Sequence, residues 1–207
     1  MAAASAPTPP DGYAEPYAVG YPTVILLIGS IILGILSLTV YGWLLLRFQG
    51  PEVAATIGGI ELVDEDGVIV GDIATIGLPL FSAVVITVTV HEFLHGITFE
   101  RMGYTVRYGL LWSQGAFYTA AIEQFQERDD LVVVALAPFV GITLLTVPML
   151  LVSNPMVALT AVLVLFMNTV GSVADLYLVW RLWRLPPGTL LYDIDLERMY
   201  AYEPVTA

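Results

Sequence analysis

The stretch ATIGLPLFSAVVITVTVHEFLHGITF, Ala74–Phe99, decides the fold. From Ala74 to Val90 it carries no charged side chain, and it then meets His91, Glu92 and His95. A hydrocarbon core is crossed by about 20 apolar residues in a helix, so the stretch reads as a membrane span with a polar cluster near one end. On a helix His91 and His95 are i and i+4 and share one face, with Glu92 beside them.

Three further apolar runs flank this one. Tyr21–Leu46 precedes it and is closed by Arg47. Leu131–Val152 follows, interrupted by Pro138, Gly141 and Pro148. Such residues are tolerated in membrane helices because neighbouring groups re-satisfy the freed backbone. After the turn Ser153-Asn154-Pro155 comes Met156–Trp180, which contains Asn168 and Asp175 and ends at Arg181, Arg184 and Pro186-Pro187-Gly188. Between the spans, Ile60–Val70 reads as a hairpin around Asp66-Gly67 or, alternatively, as an ordered extramembrane loop, and Tyr104–Ala121 as a second hairpin around Ser113-Gln114-Gly115. The expected fold is an all-α membrane bundle of four transmembrane helices with two small extramembrane β-hairpins. The expected divisions are a disordered tail over residues 1–20, a four-span domain over 21–185 and a polar acidic tail over 186–207.

Composition agrees with this reading. Of 207 residues 57% are hydrophobic, and the mean hydropathy is +0.81. The net charge is -12, with seven Arg and no Lys. That balance argues against nucleic acid and anionic lipid surfaces as ligands, since both require basic patches. An acidic, lysine-free surface suits a high-salt cytoplasm, so a halophilic source is expected. No Cys is present, which excludes a disulfide, a thiolate metal site and a cysteine nucleophile. If both termini are cytoplasmic, Arg101, Arg107, Arg128, Arg181, Arg184 and Arg198 lie inside and only Arg47 outside. The positive-inside rule therefore predicts a multi-pass protein of the cell membrane with both termini in the cytoplasm.

His91 and His95 are the only histidines of the chain. Two imidazoles on one helix face can bind one metal, and an adjacent carboxylate can act as general base toward metal-activated water. Zinc, Zn2+, is the expected metal, His91 and His95 two of its ligands, and Glu92 the catalytic base. The alternative is a pair of buried histidines satisfied by hydrogen bonds, with Glu92 paired to an Arg. A catalytic zinc commonly takes three protein ligands, so one is still to be found. Asp175 is the acid deepest in an apolar run, and no basic residue stands three or four positions from it. It lies six residues before Arg181, as His95 lies six before Arg101. At about 1.5 Å rise per residue both groups sit about 9 Å inside the same boundary. Asp175 is therefore expected as the third ligand. Glu123 is its rival, Asp129 and Asp130 are expected to open the third span, and a salt bridge from Asp175 to Arg101 or Arg107 is the competing account. Asn168 is expected to make an interhelical hydrogen bond.

The helix-borne His91-Glu92-Phe93-Leu94-His95-Gly96, the hairpin-like stretch after it, and Asn168 with Gly171-Ser172-Val173-Ala174-Asp175 resemble a small prokaryotic family of zincin-type membrane metallopeptidases, long labelled a domain of unknown function. They are more distantly similar to the site-2 proteases. The resemblance covers Ala74–Leu185, and around Asp175 the chain lacks the Leu-Asp-Gly context of true site-2 proteases. It implies metallopeptidase activity; the expected partners, a bilayer and a peptide or membrane-protein substrate, follow from the membrane spans and the chemistry of the motif. A non-catalytic pseudoprotease or metal-binding membrane scaffold is the alternative, and Glu92 speaks against it, because a scaffold has no use for the base. Haem is excluded by geometry, since two axial ligands must come from opposite faces of the ring.

Overall fold

The structure, a computed structural model, describes residues 6–50, 53, 73–111, 116–196 and 198–205. The hairpin expected over Ile60–Val70 lies outside these residues. Five α-helices dominate the described chain: α1 (Thr23–Gln49), α2 (Ile73–Arg101), α3 (Arg128–Thr146), α4 (Pro155–Gly171) and α5 (Val173–Leu182). Six short strands complete it: β1 (Tyr17–Val19), β2 (Arg107–Leu111), β3 (Ala116–Ala120), β4 (Phe125–Glu127), β5 (Leu190–Asp193) and β6 (Met199–Tyr202).

Three helical stretches are long and apolar enough to cross a membrane: Thr23–Gln49, Gly77–Arg101 and Arg128–Leu151. The third joins α3 to a single 3-10 turn at Val147–Leu151. A fourth span is counted if α4 and α5 act together. The fourth apolar run, expected as one helix, is bent by 43° where Gly171 and Ser172 part α4 from α5. Glycine is a poor helix interior residue, and the Leu176 amide restarts the ladder by donating to the Ser172 carbonyl at 2.9 Å. Leu27, Ile35 and Phe81 are each more than 60% exposed. A helix that is apolar on every face and yet so exposed in the folded chain is built for a lipid surround.

The chain divides into two compact units. One comprises Ile28–Val90 and Phe139–Gly171. Within it Gly34 faces Val170 and Phe166, the Tyr41 hydroxyl lies 3.4 Å from Thr169 Oγ1, and Gln49 Nε2 donates to the carbonyls of Leu150 and Val152 at 2.7 and 2.9 Å. Asn168, fully buried, donates to the Phe139 carbonyl at 3.3 Å, the interhelical bond expected of it. A buried amide in an apolar bundle costs free energy without such a partner.

The other unit comprises Met1–Leu27, His91–Pro138 and Ser172–Ala207. Its core joins Phe99, Ala121, Leu131, Val134, Leu178 and Leu191. An antiparallel sheet in the order β1-β6-β5-β4 stands here. Tyr17–Val19 pairs with Met199–Ala201, and Leu190–Asp193 pairs with Met199–Tyr202. Residues expected in two polar tails therefore form an ordered sheet: Tyr17–Val19 departs from the disorder expected of residues 1–20, and β5 and β6 from the plain tail expected after residue 185. The reason is pairing at long sequence separation. Each strand is too short to stand alone, and Leu191, Ala201 and Tyr202 bury their side chains completely only once the strands meet.

The second expected hairpin is present as β2–β3, with Arg107 opposite Ala120 and Leu111 opposite Ala116. It approaches α2 at Gly96, where an added Cβ would collide with the Tyr108 ring. Across the hairpin Gly109 makes the same room for the Tyr118 ring. The Tyr108 hydroxyl donates to Glu100 Oε1 at 3.1 Å, which pins the hairpin along the last turns of α2.

Candidate metal centre

Three of the expected residues converge within the unit that carries the sheet. His91 Nε2 and His95 Nε2 lie 3.2 Å apart, one turn apart on α2. Asp175, from α5, places Oδ2 3.3 Å from His91 Nε2 and Oδ1 3.6 Å from His95 Nε2. All three side chains are mostly buried, at 13%, 12% and 20% exposure. One ligand atom from each lies within 4.8 Å of the others, so the group could hold a metal ion.

The spacing can be checked against coordination chemistry. Ligand bonds of about 2.0–2.1 Å in a tetrahedral zinc site put neighbouring ligand atoms about 3.3 Å apart. The separations here, 3.2, 3.3 and 3.6 Å, match that edge length. The donor set, two imidazoles and one carboxylate, is one that catalytic zinc accepts, leaving a fourth position for water or substrate. The residues fit the metal.

Local structure sets each donor. His95 Nδ1 lies 3.0 Å from the Val134 carbonyl of α3. A carbonyl only accepts, so Nδ1 carries the proton and Nε2 presents its lone pair toward His91 and Asp175. Asp175 falls in the first turn of α5. The bend after Gly171 gives it a fresh helix N-terminus, whose dipole favours a carboxylate there.

Glu92 stands apart from the three ligand atoms. It is near enough to His91 and Asp175 for their charges to act on it, and Thr119 of β3 lies beside it. Thr119 Oγ1 also donates to the Glu92 main-chain carbonyl at 3.0 Å.

The rival acids are held elsewhere. Glu123 is more than half exposed and pairs with Arg107 at 2.7 Å. Asp129 pairs with Arg128 and Asp130 accepts from the Tyr104 hydroxyl at 2.7 Å, both in the first turn of α3 as expected. Since Arg107 is engaged by Glu123, the expected alternative of an Arg107–Asp175 bridge is not what this arrangement displays.

A cavity of about 190 Å³ opens beside the centre, lined by His95, Asp175, Tyr21, Thr119, Asp193 and Arg198 among others. Burial pushes the Asp193 carboxyl up to about 6, against the opposing pull of the Gln126 amide, which donates to Oδ2 at 3.0 Å. Burial also raises the Tyr21 hydroxyl, and Asp193 and Asp175 add to the effect. Neither residue drew notice in the sequence. In the sequence Tyr21 stands at the start of a span and Asp193 in a tail; in the fold β5, paired with β4 and β6, carries Asp193 to the cavity.

Fold and site together define a helical protein with apolar, membrane-length helices and a two-histidine, one-carboxylate centre at the end of one of them. The chain belongs to the family described as "Putative zincin peptidase", which residues 84–190 match, a range that holds His91, Glu92, His95 and Asp175. No curated protein and no solved structure matches it.

Proposed function

We propose that this protein is a zinc-dependent endopeptidase of the cell membrane that cleaves a peptide or membrane-protein substrate. The observation that carries the reading is the convergence of His91, His95 and Asp175 at zinc-ligand spacing beside Glu92, inside a zincin-family match. His91 Nε2, His95 Nε2 and one Asp175 oxygen would hold the ion. Zinc, when bound, supplies a Lewis acid that polarises a carbonyl and acidifies water. The Glu92 carboxylate takes the proton of the attacking water and passes it to the departing amine. Thr119 and Ala120 of β3 line the cavity with His95 and Asp175, so a peptide entering it would meet the ligands.

Metal analysis tests the reading. Purified wild-type protein is expected to carry close to one zinc per chain, and His95→Ala to carry almost none, with chelator-sensitive peptide hydrolysis following the metal. Wild-type protein that takes up no zinc on reconstitution would overturn it.

The proposed topology has four spans and cytoplasmic termini. It is supported by strand pairing as well as by arginine placement. The segment before α1, the segment between α2 and α3, and the segment after α5 all contribute strands to one sheet. A chain that returns to one sheet after α2 and again after α5 crosses a bilayer an even number of times between visits. A reporter fused after Ala207 is expected to read as cytoplasmic and one inserted at Asp66 as external, and the reverse pattern would refute the orientation.

A further inference from the structure

Pro138 lies in the interior of α3 and is fully buried. A proline has no amide hydrogen, so in the helical ladder the carbonyl four residues earlier loses its usual donor. That carbonyl belongs to Val134, and it is the acceptor of His95 Nδ1–H at 3.0 Å. A buried carbonyl left without a donor costs about 1–3 kcal/mol, which is the drive for an imidazole N–H to fill the place.

We infer that Pro138 is a positioning residue of the metal centre: by withholding an amide from the Val134 carbonyl it reserves that carbonyl for His95, and so fixes the His95 tautomer that directs Nε2 at His91 and Asp175. The proline therefore acts at one remove, through a backbone oxygen. Any other residue at 138 supplies an amide hydrogen to Val134. The carbonyl then turns along the helix axis to meet it, and the His95 ring loses the partner that set both its proton and its orientation. Partners behind a ligating histidine commonly change metal affinity by about 10–100-fold when removed. The inference rests on the zinc reading for its consequence, but the tautomer itself is a property of the metal-free protein.

The chain's two histidines make a direct test practical. Ring-nitrogen NMR of the metal-free wild type, at a pH where both imidazoles are neutral, is expected to find the His95 proton on Nδ1. Pro138→Ala and Pro138→Val differ in volume and share the restored amide. Both are expected to move His95 toward the Nε2–H tautomer and to weaken zinc binding by about 10–100-fold, by similar factors. A matched neighbour, Val140→Ala, is expected to change neither quantity. A wild-type His95 protonated on Nε2 would overturn the inference without needing any variant to fold. So would unchanged tautomer and zinc affinity in both Pro138 variants. If the tautomer shifts as expected while even the wild type binds no zinc, the positioning role stands and the peptidase reading falls.

Discussion

Glu92→Gln is expected to keep its zinc and its fold and to lose about 10²–10⁴-fold in peptide hydrolysis, the range spanned by a positioned general acid–base. Glu92 is not among the three residues whose atoms could hold the metal. Gln is nearly isosteric with Glu, and the bond from Thr119 Oγ1 goes to the main-chain carbonyl of residue 92, which the substitution leaves in place. It cannot accept a proton from water, and that is the only property the mechanism asks of residue 92. Metal content and turnover should therefore separate. Zinc analysis, melting temperature and hydrolysis of a peptide substrate, measured on one preparation, check this. Loss of zinc would make Glu92 a ligand, and retained turnover would remove it from the reaction.

The candidate centre was legible in the sequence because its two halves carry their own rulers. The His91–His95 spacing is fixed by helix geometry. The equal offsets of His95 from Arg101 and of Asp175 from Arg181 predict one depth for the two groups if both helices cross a membrane in the same sense. Neither argument needs to know how the helices pack, only that they are neighbours, and the 3.3 and 3.6 Å separations to Asp175 agree with it. The hairpin β2–β3 was legible because Ser113-Gln114-Gly115 punctuates a run rich in Tyr, Thr and Val. The four-stranded sheet was not. Tyr17–Val19 finds its partner at Met199–Ala201, and no local pattern encodes a pairing across most of the chain. The tyrosine-bearing runs Leu190-Leu191-Tyr192 and Met199-Tyr200-Ala201-Tyr202 carry some strand preference, muted by the acidic run Asp193–Glu197 between them and by the lack of an Asn-Gly turn. The bend after Gly171 was hidden for another reason. Helical hydropathy continues through it, and only the demand for a helix N-terminus near Asp175 gives it a purpose. In the sequence Pro138 is a tolerated break that leaves the carbonyl four residues earlier for some neighbour to satisfy. That this neighbour is His95 is a fact of packing, invisible in one dimension.

Asp175→Asn is expected to lower zinc affinity by more than the roughly 100-fold that marks loss of a partner behind a ligand, and to abolish hydrolysis with it. The substitution keeps the shape of the side chain and removes its charge. With Asp175 ionised, two neutral imidazoles and one carboxylate meet a dication. With Asn they leave its full charge uncompensated in an apolar part of the molecule, where low dielectric makes the difference large. The first-turn position in α5 does not rescue the variant, because a helix N-terminus favours an anion and gains little from an amide. Glu123→Gln provides the contrast. Glu123 is exposed and already paired with Arg107, and an exposed pair is worth about 0–1 kcal/mol, so its loss should leave zinc binding and turnover at wild-type values. Competition titration against a chromophoric chelator measures both variants over the needed range. If Asp175→Asn binds zinc as the wild type does, the carboxylate is not a ligand. If Glu123→Gln loses the metal, the hairpin supplies the third donor, and the depth argument that links α2 to α5 fails with it.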